Sequence, residues 1–321
     1  MTRREQARSF EGVPSPLPCF LGANTDRPSP CPSNICQACG TSFAEAPIPP
    51  SCCPICEDER QYVPRTGQGW TTPDQLGASH ANTWQLLEPD LFEIHTKPSF
   101  AIGQRALLVR TPVGNFLWDC IALIDDATVE LVRGLGGLAG VAISHPHYHT
   151  RCQDWAAAFN CPVHLHGADE EWVMRPDPAI RFWQGDTLAL SRDLTLIRLG
   201  GHFPGATVLH WEKGADEEGV LLTGDTLQVF ADPCRVTFLW SYPNMIPLSA
   251  STVRRMADAL KQRRIDVLTG SPSGVRSPAT AAPRSSTRRD ATSRCFPRIA
   301  ETRSGRVRSR CGGHGLEQPG A

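Results

Sequence analysis

The chain has 321 residues, of which 40% are hydrophobic, and its formal net charge is −1. A chain of this length can bury one large core or two smaller ones. The balanced charge gives no support for a nucleic-acid partner, and no apolar run approaches the roughly 20 residues that a membrane-spanning helix needs. Residues 1–20 contain arginines but no apolar stretch after them, so no secretory signal peptide is expected.

The N-terminal part divides into three stretches by composition. Residues 1–34 are rich in Pro, Ser and Cys, show no hydrophobic periodicity, and are predicted to be a disordered extension or an upstream stretch read from the wrong start codon. Residues 35–62 contain closely spaced cysteines. The polar residues 63–91, with scattered Gly and Trp, are predicted to be a linker that packs on the main domain.

Two Cys-x-x-Cys pairs lie in residues 35–62: Cys36 with Cys39, and Cys53 with Cys56. Two residues between cysteines let both thiolates reach one ion, and Gly40 suits the tight turn that follows the first pair. Four thiolates close a tetrahedral site with no open position, which is typical of structural zinc. The sequence therefore predicts a small zinc ribbon that holds one ion and depends on it for folding.

Two points about the ribbon remain open in the sequence. Cys52 adjoins Cys53, although the Cys-Pro-x-Cys turn favours Cys53 as the ligand. Iron in a rubredoxin-like site would use the same four thiolates. Because paired cysteines without a signal peptide indicate metal ligands rather than disulfides, a reducing, cytoplasmic compartment is expected.

The main domain, predicted over residues 92–270, alternates strand and helix patterns. Apolar runs at 106–110 and 116–120 flank the turn sequence Thr-Pro-Val-Gly-Asn and predict a hairpin. Further strands are predicted at 140–144, 162–166, 187–190, 194–199, 207–211, 220–223 and 265–268. Helices are predicted at 126–135, 152–159, 168–174 and 249–263. Hairpins combined with strand–helix alternation indicate an α/β domain with mixed sheets.

Residues 271–321 differ in composition from everything before them. They contain ten arginines and no lysine, and Phe296 is their one aromatic residue among Phe, Trp and Tyr. The stretch is predicted to be a low-complexity tail, either a disordered basic segment or the product of translation in the wrong frame. In both cases its apolar content is too low to pack a core.

Three histidines follow the predicted strand at 140–144: His145, His147 and His149. Alternate positions of an extended loop point to one side, so the three imidazoles are expected to converge. Crowded imidazoles are costly unless a transition metal shares them. The pattern therefore predicts a metal site at the end of this strand.

The segment around these histidines resembles the His-x-His-x-Asp-His signature of the metallo-β-lactamase superfamily. Four other stretches agree with that family in order and spacing, so the resemblance covers residues 92–269. They are the hairpin at 106–120, the Gly-His-x-Pro-Gly loop at 201–205, the Leu-Leu-Thr-Gly-Asp strand end at 221–225, and the helix and strand at 249–269.

The resemblance implies an αββα sandwich, preceded here by the four-cysteine zinc ribbon. It implies that His145, His147 and His202 hold one metal ion and that Asp225 bridges to a second. The cleft would hold one or two ions, zinc with iron as a possibility.

This chain departs from the family pattern at the second metal site. His149 stands at the signature's aspartate position, and Thr150 stands at its following histidine. The family's last histidine is expected just after Gly270, where no candidate stands. His149 is still expected to coordinate, since imidazole suits zinc and iron.

The function that the resemblance implies is a metal-dependent hydrolase, in which metal-bound hydroxide attacks an ester, thioester or phosphoester of a small molecule. Asp225 would orient the water or act as base, and His149 or Tyr148 would assist by proton transfer or a hydrogen bond. Two alternatives stay open: an oxygen-reducing di-iron redox enzyme, and a non-catalytic protein whose ribbon recruits a partner beside a degenerate cleft. The signature lacks the glutamate that is usual in the di-iron members.

Overall fold

The computed structural model describes residues 33–229, 236–265 and 267–270; the predicted tail and nearly all of the predicted extension lie outside these residues. The first described segment is the ribbon. Its elements are β1 (Ser33–Cys36), β2 (Ser42–Glu45), α1 (Pro54–Glu57), β3 (Trp70–Thr71) and α2 (Pro73–Gly77). β1 lies in the middle of a three-stranded sheet and pairs antiparallel with both β2 and β3.

A seven-stranded sheet follows, with two helices in its connections. Its elements are β4 (Ala81–Glu88), β5 (Leu91–Lys97), β6 (Arg105–Val109), β7 (Phe116–Trp118), α3 (Asp126–Gly134), β8 (Gly140–Ala142), α4 (Cys152–Phe159), β9 (Val163–His166) and β10 (Ile180–Trp183). The strand order is β10-β9-β8-β7-β6-β5-β4. The pairs from β4 to β7 are antiparallel and those from β7 to β10 are parallel, so the sheet is mixed as predicted.

A five-stranded sheet and two two-stranded sheets make up the rest of the described residues. Their elements are β11 (Thr187–Ala189), β12 (Leu194–Arg198), β13 (Thr207–Trp211), α5 (Gly214–Glu217), β14 (Val220–Gly224), β15 (Gln228–Val229), β16 (Val236–Thr237), β17 (Leu239–Ser241), β18 (Ile246–Pro247), α6 (Ala250–Leu260) and β19 (Val267–Gly270). The larger sheet has the order β11-β12-β13-β14-β19, and only its β14–β19 pair is parallel.

The two large sheets pack face to face, with helices on both outer faces. Leu107 and Trp118 of the first sheet share one buried cluster with Leu209 and Leu222 of the second. Neighbouring residues on the same strands point the other way, because side chains alternate along a strand. Leu108 thus packs beneath α3 and α4, and the outer face of the second sheet packs against α6. This confirms the predicted αββα sandwich.

The structure differs from the predicted linker at residues 63–91. β3 pairs with β1 in the ribbon sheet, and β4 pairs along its whole length with β5 at the edge of the seven-stranded sheet. Edge strands are half exposed, and polar residues interrupt the apolar residues of β4. β4 therefore lacks the continuous apolar run from which a strand is predicted. The segment is therefore shared between the two sheets.

Smaller differences concern individual elements. The predicted helix at 168–174 is a 3₁₀ segment, Gly167–Trp172, and the strands β5 and β10 were not predicted. The remaining predicted strands and helices lie within a few residues of their predicted positions, whereas α5 and the short strands β15 to β18 are not among those predicted. Among the described residues, none of the helices has the length and apolar character that crossing a bilayer requires.

Candidate metal centre in the cleft and its neighbouring ribbon

Strands of both sheets deliver polar side chains to one end of the sandwich. His145 and His147 follow β8 of the first sheet, His202 follows β12, and Asp225 follows β14 of the second. A backbone hydrogen bond from the N–H of Thr207 to the carbonyl of Ser144, 2.9 Å long, joins the two sheets beside these residues. The four side chains therefore meet where the sheets approach each other.

The histidine segment does not have the extended conformation predicted from the sequence. His145 is extended, but Pro146–Tyr148 forms a 3₁₀ turn, in which proline fits the first position because its φ is preset. The turn ends the alternation, so the expectation that all three histidines point to one side is wrong. His149 lies outside the group that His145 and His147 join, and its Nδ1 is 3.2 Å from the carbonyl oxygen of Trp172.

The group formed by His145, His147, His202 and Asp225, called the cleft group below, has the geometry of a metal site. Each residue offers one ligand atom, and all four atoms lie within 4.8 Å of one another. Nε2 of His145 is 3.6 Å from Oδ2 of Asp225. Among the described residues, the buried Nε2 atoms of the three histidines have no hydrogen-bond partner. Buried polar atoms are normally satisfied, so an ion between them fits this arrangement.

The second nitrogens of two histidines are held by neighbouring groups. Nδ1–H of His202 donates to the carbonyl oxygen of Trp240 at 2.9 Å, and Nδ1 of His145 lies 2.8 Å from the hydroxyl of Ser144. The N–H of Ser144 in turn donates to Oδ1 of Asp119 at 2.7 Å. Such contacts orient a ligating imidazole and leave Nε2 for the ion.

Burial controls the charge of these groups. Removal from water lowers the pKa of His147 well below its ordinary range and that of His202 to about 3, so both imidazoles are neutral at pH 7. Neutral imidazole is the form that binds a metal. Burial also raises the pKa of Asp119 to about 7, against the opposing charge of His145 and the hydrogen bonds from Ser144.

Glycines beside two of the ligands permit the close packing. Gly224 has a φ of +51°, and a Cβ there would lie 2.4 Å from the hydroxyl oxygen of Ser144. Gly201 has a φ of +87°, and a Cβ there would lie 2.7 Å from Leu248. Positive φ and missing space both require glycine. These positions belong to the motifs that carry the sequence resemblance.

A cavity of about 350 Å³ opens beside the cleft group. Its lining includes His147, Tyr148, Asp225 and Tyr242. The hydroxyl of Tyr242 donates to the backbone carbonyl of Asp225 at 2.7 Å. Tyr148 is almost fully buried, so it packs in the core as well as bordering the cavity.

The ribbon contributes residues to this cavity, and no sequence pattern predicts that contribution. Arg60, Gln61 and Tyr62, which follow the second cysteine pair, line it together with the cleft residues. No spacing rule relates residues 60–62 to histidines more than 80 positions away in the chain, and only tertiary packing brings them together. The ribbon is thus part of the cleft wall.

The four ribbon cysteines form the second candidate metal site. Their Sγ atoms all lie within 4.8 Å of one another, and all four residues are buried. The pairs Cys36–Cys56 and Cys39–Cys53 are each 3.6 Å apart between Sγ atoms. Hydrogen bonds from the neighbouring thiols hold the pKa of Cys36 far below its ordinary value. Cys52 is not in the group.

A comparison with curated proteins finds a relative of this chain. The chain is 46% identical over 233 residues to the Bacillus subtilis (strain 168) protein named "Uncharacterized protein YmaE", covering 72% of this chain and 85% of that relative. No protein-family model matches the chain.

Solved structures similar to the chain include metallo-β-lactamases. DIM-1 has a TM-score of 0.48 at 13% identity, with 62% of this chain and 92% of that chain covered. FIM-1 of Pseudomonas aeruginosa in its mono-zinc form has a TM-score of 0.47 at 12% identity, covering 61% and 89%. The fold of this chain is defined by its own sheet order and layers, together with the buried group of three histidines and an aspartate.

Proposed function

We propose that this chain, which belongs to the same family as YmaE of Bacillus subtilis and has the metallo-β-lactamase fold, is a metal-dependent hydrolase of small molecules. The observation that carries the proposal is the cleft group: three buried imidazole nitrogens and a carboxylate within 4.8 Å, beside a cavity. An ester, thioester or phosphoester is the proposed substrate class.

The donor set fits zinc. Three imidazoles and one carboxylate are ligand types that Zn²⁺ accepts, and iron accepts them as well. With all four as ligands, a water molecule would take a fifth position, to which zinc can expand. When bound there, the cation would act as a Lewis acid and lower the pKa of a water molecule from about 15.7 toward about 7. We propose one ion in the cleft, because the described residues bring together one such group and His149 lies outside it.

The chain's own residues have distinct proposed roles. Asp225 borders the cavity and its carboxylate is the proposed proton acceptor. Burial raises the pKa of Tyr148 and of Tyr242 well above 10, so both phenols stay protonated at neutral pH. A protonated Tyr148 hydroxyl at the cavity can donate a hydrogen bond to negative charge that develops on the substrate. His149, turned toward the carbonyl of Trp172, has no part in this scheme.

The ribbon is proposed to hold one structural zinc ion. Four buried thiolates leave no open position for substrate, which distinguishes it from the cleft. Glutathione and thioredoxin systems keep thiols reduced in the cytoplasm, and that compartment is the proposed location.

The test uses the full chain loaded with zinc and three probes: p-nitrophenyl acetate, an acyl thioester and bis-p-nitrophenyl phosphate. Hydrolysis of at least one probe is expected, and His147→Ala should abolish it. His80→Ala is the matched control, since His80 pairs with Ser79 outside the cleft. A zinc-loaded cleft with no turnover of any probe would contradict the proposal and favour the non-catalytic, partner-binding alternative.

A further inference from the structure

Arg60 is a buried cation at the boundary between the ribbon and the cleft. It lies four residues after Cys56, is only 6% exposed, and lines the cavity beside His147 and Asp225. Long cationic side chains are rarely buried to this degree unless they are paired. The contacts of its guanidinium therefore indicate what it does.

One side of the guanidinium is neutralised by Asp58. Nε of Arg60 donates to Oδ1 of Asp58 at 2.6 Å, and Nη2 donates to Oδ2 at 2.8 Å. This is the bidentate geometry in which an arginine is held most rigidly. Because both strong bonds are made within the ribbon, Arg60 is a fixed part of that segment rather than a free anion-binding group.

The other side faces the loop that carries His202. Nη1 of Arg60 donates to the backbone carbonyl of His202 at 3.3 Å. The guanidinium carbon lies 3.7 Å from the ring centroid of Phe203 and 4.6 Å from that of Trp240. Cation–π attraction favours both contacts. Arg60 thus contacts the ligand's own backbone and the residue that follows it.

Trp240 connects these contacts to the ligand's ring. Its carbonyl oxygen accepts the hydrogen bond from Nδ1 of His202, while its ring packs against Arg60. Arg60 therefore braces both groups that fix His202, its main chain and the acceptor that orients its imidazole. These contacts are made to the main chain of His202 and to the acceptor of its Nδ1–H, and the Nε2 atom of the same ring belongs to the cleft group.

The rigidity of Arg60 comes from the metal-binding turn before it. The N–H of Asp58 donates to the carbonyl of Pro54 at 3.2 Å, and the N–H of Gln61 donates to that of Asp58 at 2.9 Å. These bonds join the helix containing Cys56 to Asp58, and Oδ1 of Asp58 also accepts a hydrogen bond from the backbone N–H of Arg60 at 2.9 Å. The cysteine site, Asp58 and Arg60 form one continuous short segment.

We propose that Arg60 is a positioning residue supplied by the ribbon, which holds His202 in the orientation that binds the cleft metal. The proposal rests on the proposed function only in that the cleft binds a metal; hydrolysis is not required. Under this proposal the ribbon not only packs against the main domain but also helps to orient His202.

Cobalt titration of the full chain tests this, because Co²⁺ reports the two sites separately. Thiolate ligands in the ribbon give an intense near-ultraviolet charge-transfer band together with visible bands, whereas nitrogen and oxygen ligands in the cleft give visible bands without that charge transfer. The cleft is therefore followed by the visible absorption that still rises after the near-ultraviolet band has saturated. Arg60→Ala should weaken the binding of Co²⁺ in the cleft by tenfold or more, because loss of a group that orients a metal ligand typically costs that much affinity. The visible bands of the cleft should also change. The ribbon band should be unchanged.

Arg151→Ala is the matched control. Arg151 also pairs with a carboxylate on its own segment, Asp154 at 2.6 Å, and also donates to a backbone carbonyl, that of Ala122 at 3.3 Å. This variant should keep wild-type cleft affinity and visible bands. An Arg60→Ala protein with wild-type affinity and bands would overturn the proposal.

A second variant keeps the proposal falsifiable if Arg60→Ala fails to fold. Arg60→Lys retains the charge but has no planar fork to bond Asp58 and His202 at once. It should bind cleft Co²⁺ several-fold more weakly, and equality with wild type would overturn the proposal. Failure of the proposed function looks different: wild-type protein would show both cobalt signatures and turn over no probe.

Discussion

The backbone carbonyls of Cys39 and His147 accept hydrogen bonds from the same atom, Nε2 of Gln104, at 2.6 and 2.9 Å. Cys39 belongs to the four-cysteine group of the ribbon, and His147 belongs to the cleft group. A single buried amide thus joins the two candidate metal sites through the main domain. Ser42 adds a second link, because its N–H and hydroxyl both donate to the carbonyl of Thr150 at 2.9 Å.

Gln104→Leu should destabilise the protein, because it leaves two buried carbonyls without this donor. An unsatisfied buried group costs about 1–3 kcal/mol, and the free energy of unfolding should fall by that amount or more. Urea denaturation measures it. Gln85→Leu, at an exposed position of the edge strand β4, is the control and should change stability by less than about 0.5 kcal/mol. Equal effects of the two variants would show that the Gln104 bridge contributes nothing.

Adjacent cysteines give a sharp test of the ribbon. Cys53→Ser removes one of the four clustered thiolates, whereas Cys52→Ser removes the neighbouring thiol that lies outside the cluster. Elemental analysis should find the ribbon metal lost from the first variant and retained by the second. Because structural zinc supplies folding energy, Cys53→Ser should also melt at a lower temperature. Loss of metal from both variants would contradict the assignment of ligands.

Asp119 supports the cleft through the N–H of Ser144, next to the ligand His145. Asp119→Ala removes this acceptor at a residue with a φ of 62°, where alanine is also strained. Zinc affinity of the cleft should fall by about 10–100-fold, as measured by competition with a chelating dye. Asp119→Asn keeps an oxygen acceptor and tolerates the backbone, so its affinity should stay closer to wild type. The reverse order of affinities would exclude this supporting role.

Acid stability should depend on Glu93. Burial alone would raise its pKa, but the hydrogen bond with His95 and the charge of Arg105 outweigh burial and lower the pKa to about 2. A depressed folded-state pKa stabilises the protein above the ordinary value of 4.5, and this stability is lost as the pH falls toward 2. Unfolding free energies measured across this interval should therefore fall less steeply for Glu93→Gln. Glu130→Gln, at an exposed surface pair with Arg133, should retain the wild-type slope.

The fold could be predicted largely because its core strands are short apolar runs bounded by turn residues. β8 and β14 are buried along their whole length, and such strands are visible in sequence as continuous apolar segments. The sequence of β4 resembles a linker, because its pairing with β5 is a tertiary contact that leaves polar residues on one face. The hydrophobic pattern therefore identifies fully buried strands such as β8 and β14 more readily than a half-exposed strand such as β4.

The cleft group could be proposed from sequence because its ligands sit at strand ends in family-like motifs. The conformation of the His145–His149 segment could not, since the spacing is compatible with both an extended loop and the 3₁₀ turn that Pro146 begins. Arg60 and Gln104 carry no local signal at all. Their roles depend on how the ribbon packs on the domain, which is set by contacts distant in sequence.

The central claim is that the chain holds one metal in the ribbon and one in the cleft. Native mass spectrometry of the zinc-loaded full chain measures both at once. Wild type should carry two zinc ions, and His147→Ala should carry one, with the ribbon ion retained. Two ions remaining on His147→Ala, a third ion on wild type, or a wild-type cleft that stays empty at saturating zinc would each contradict the account.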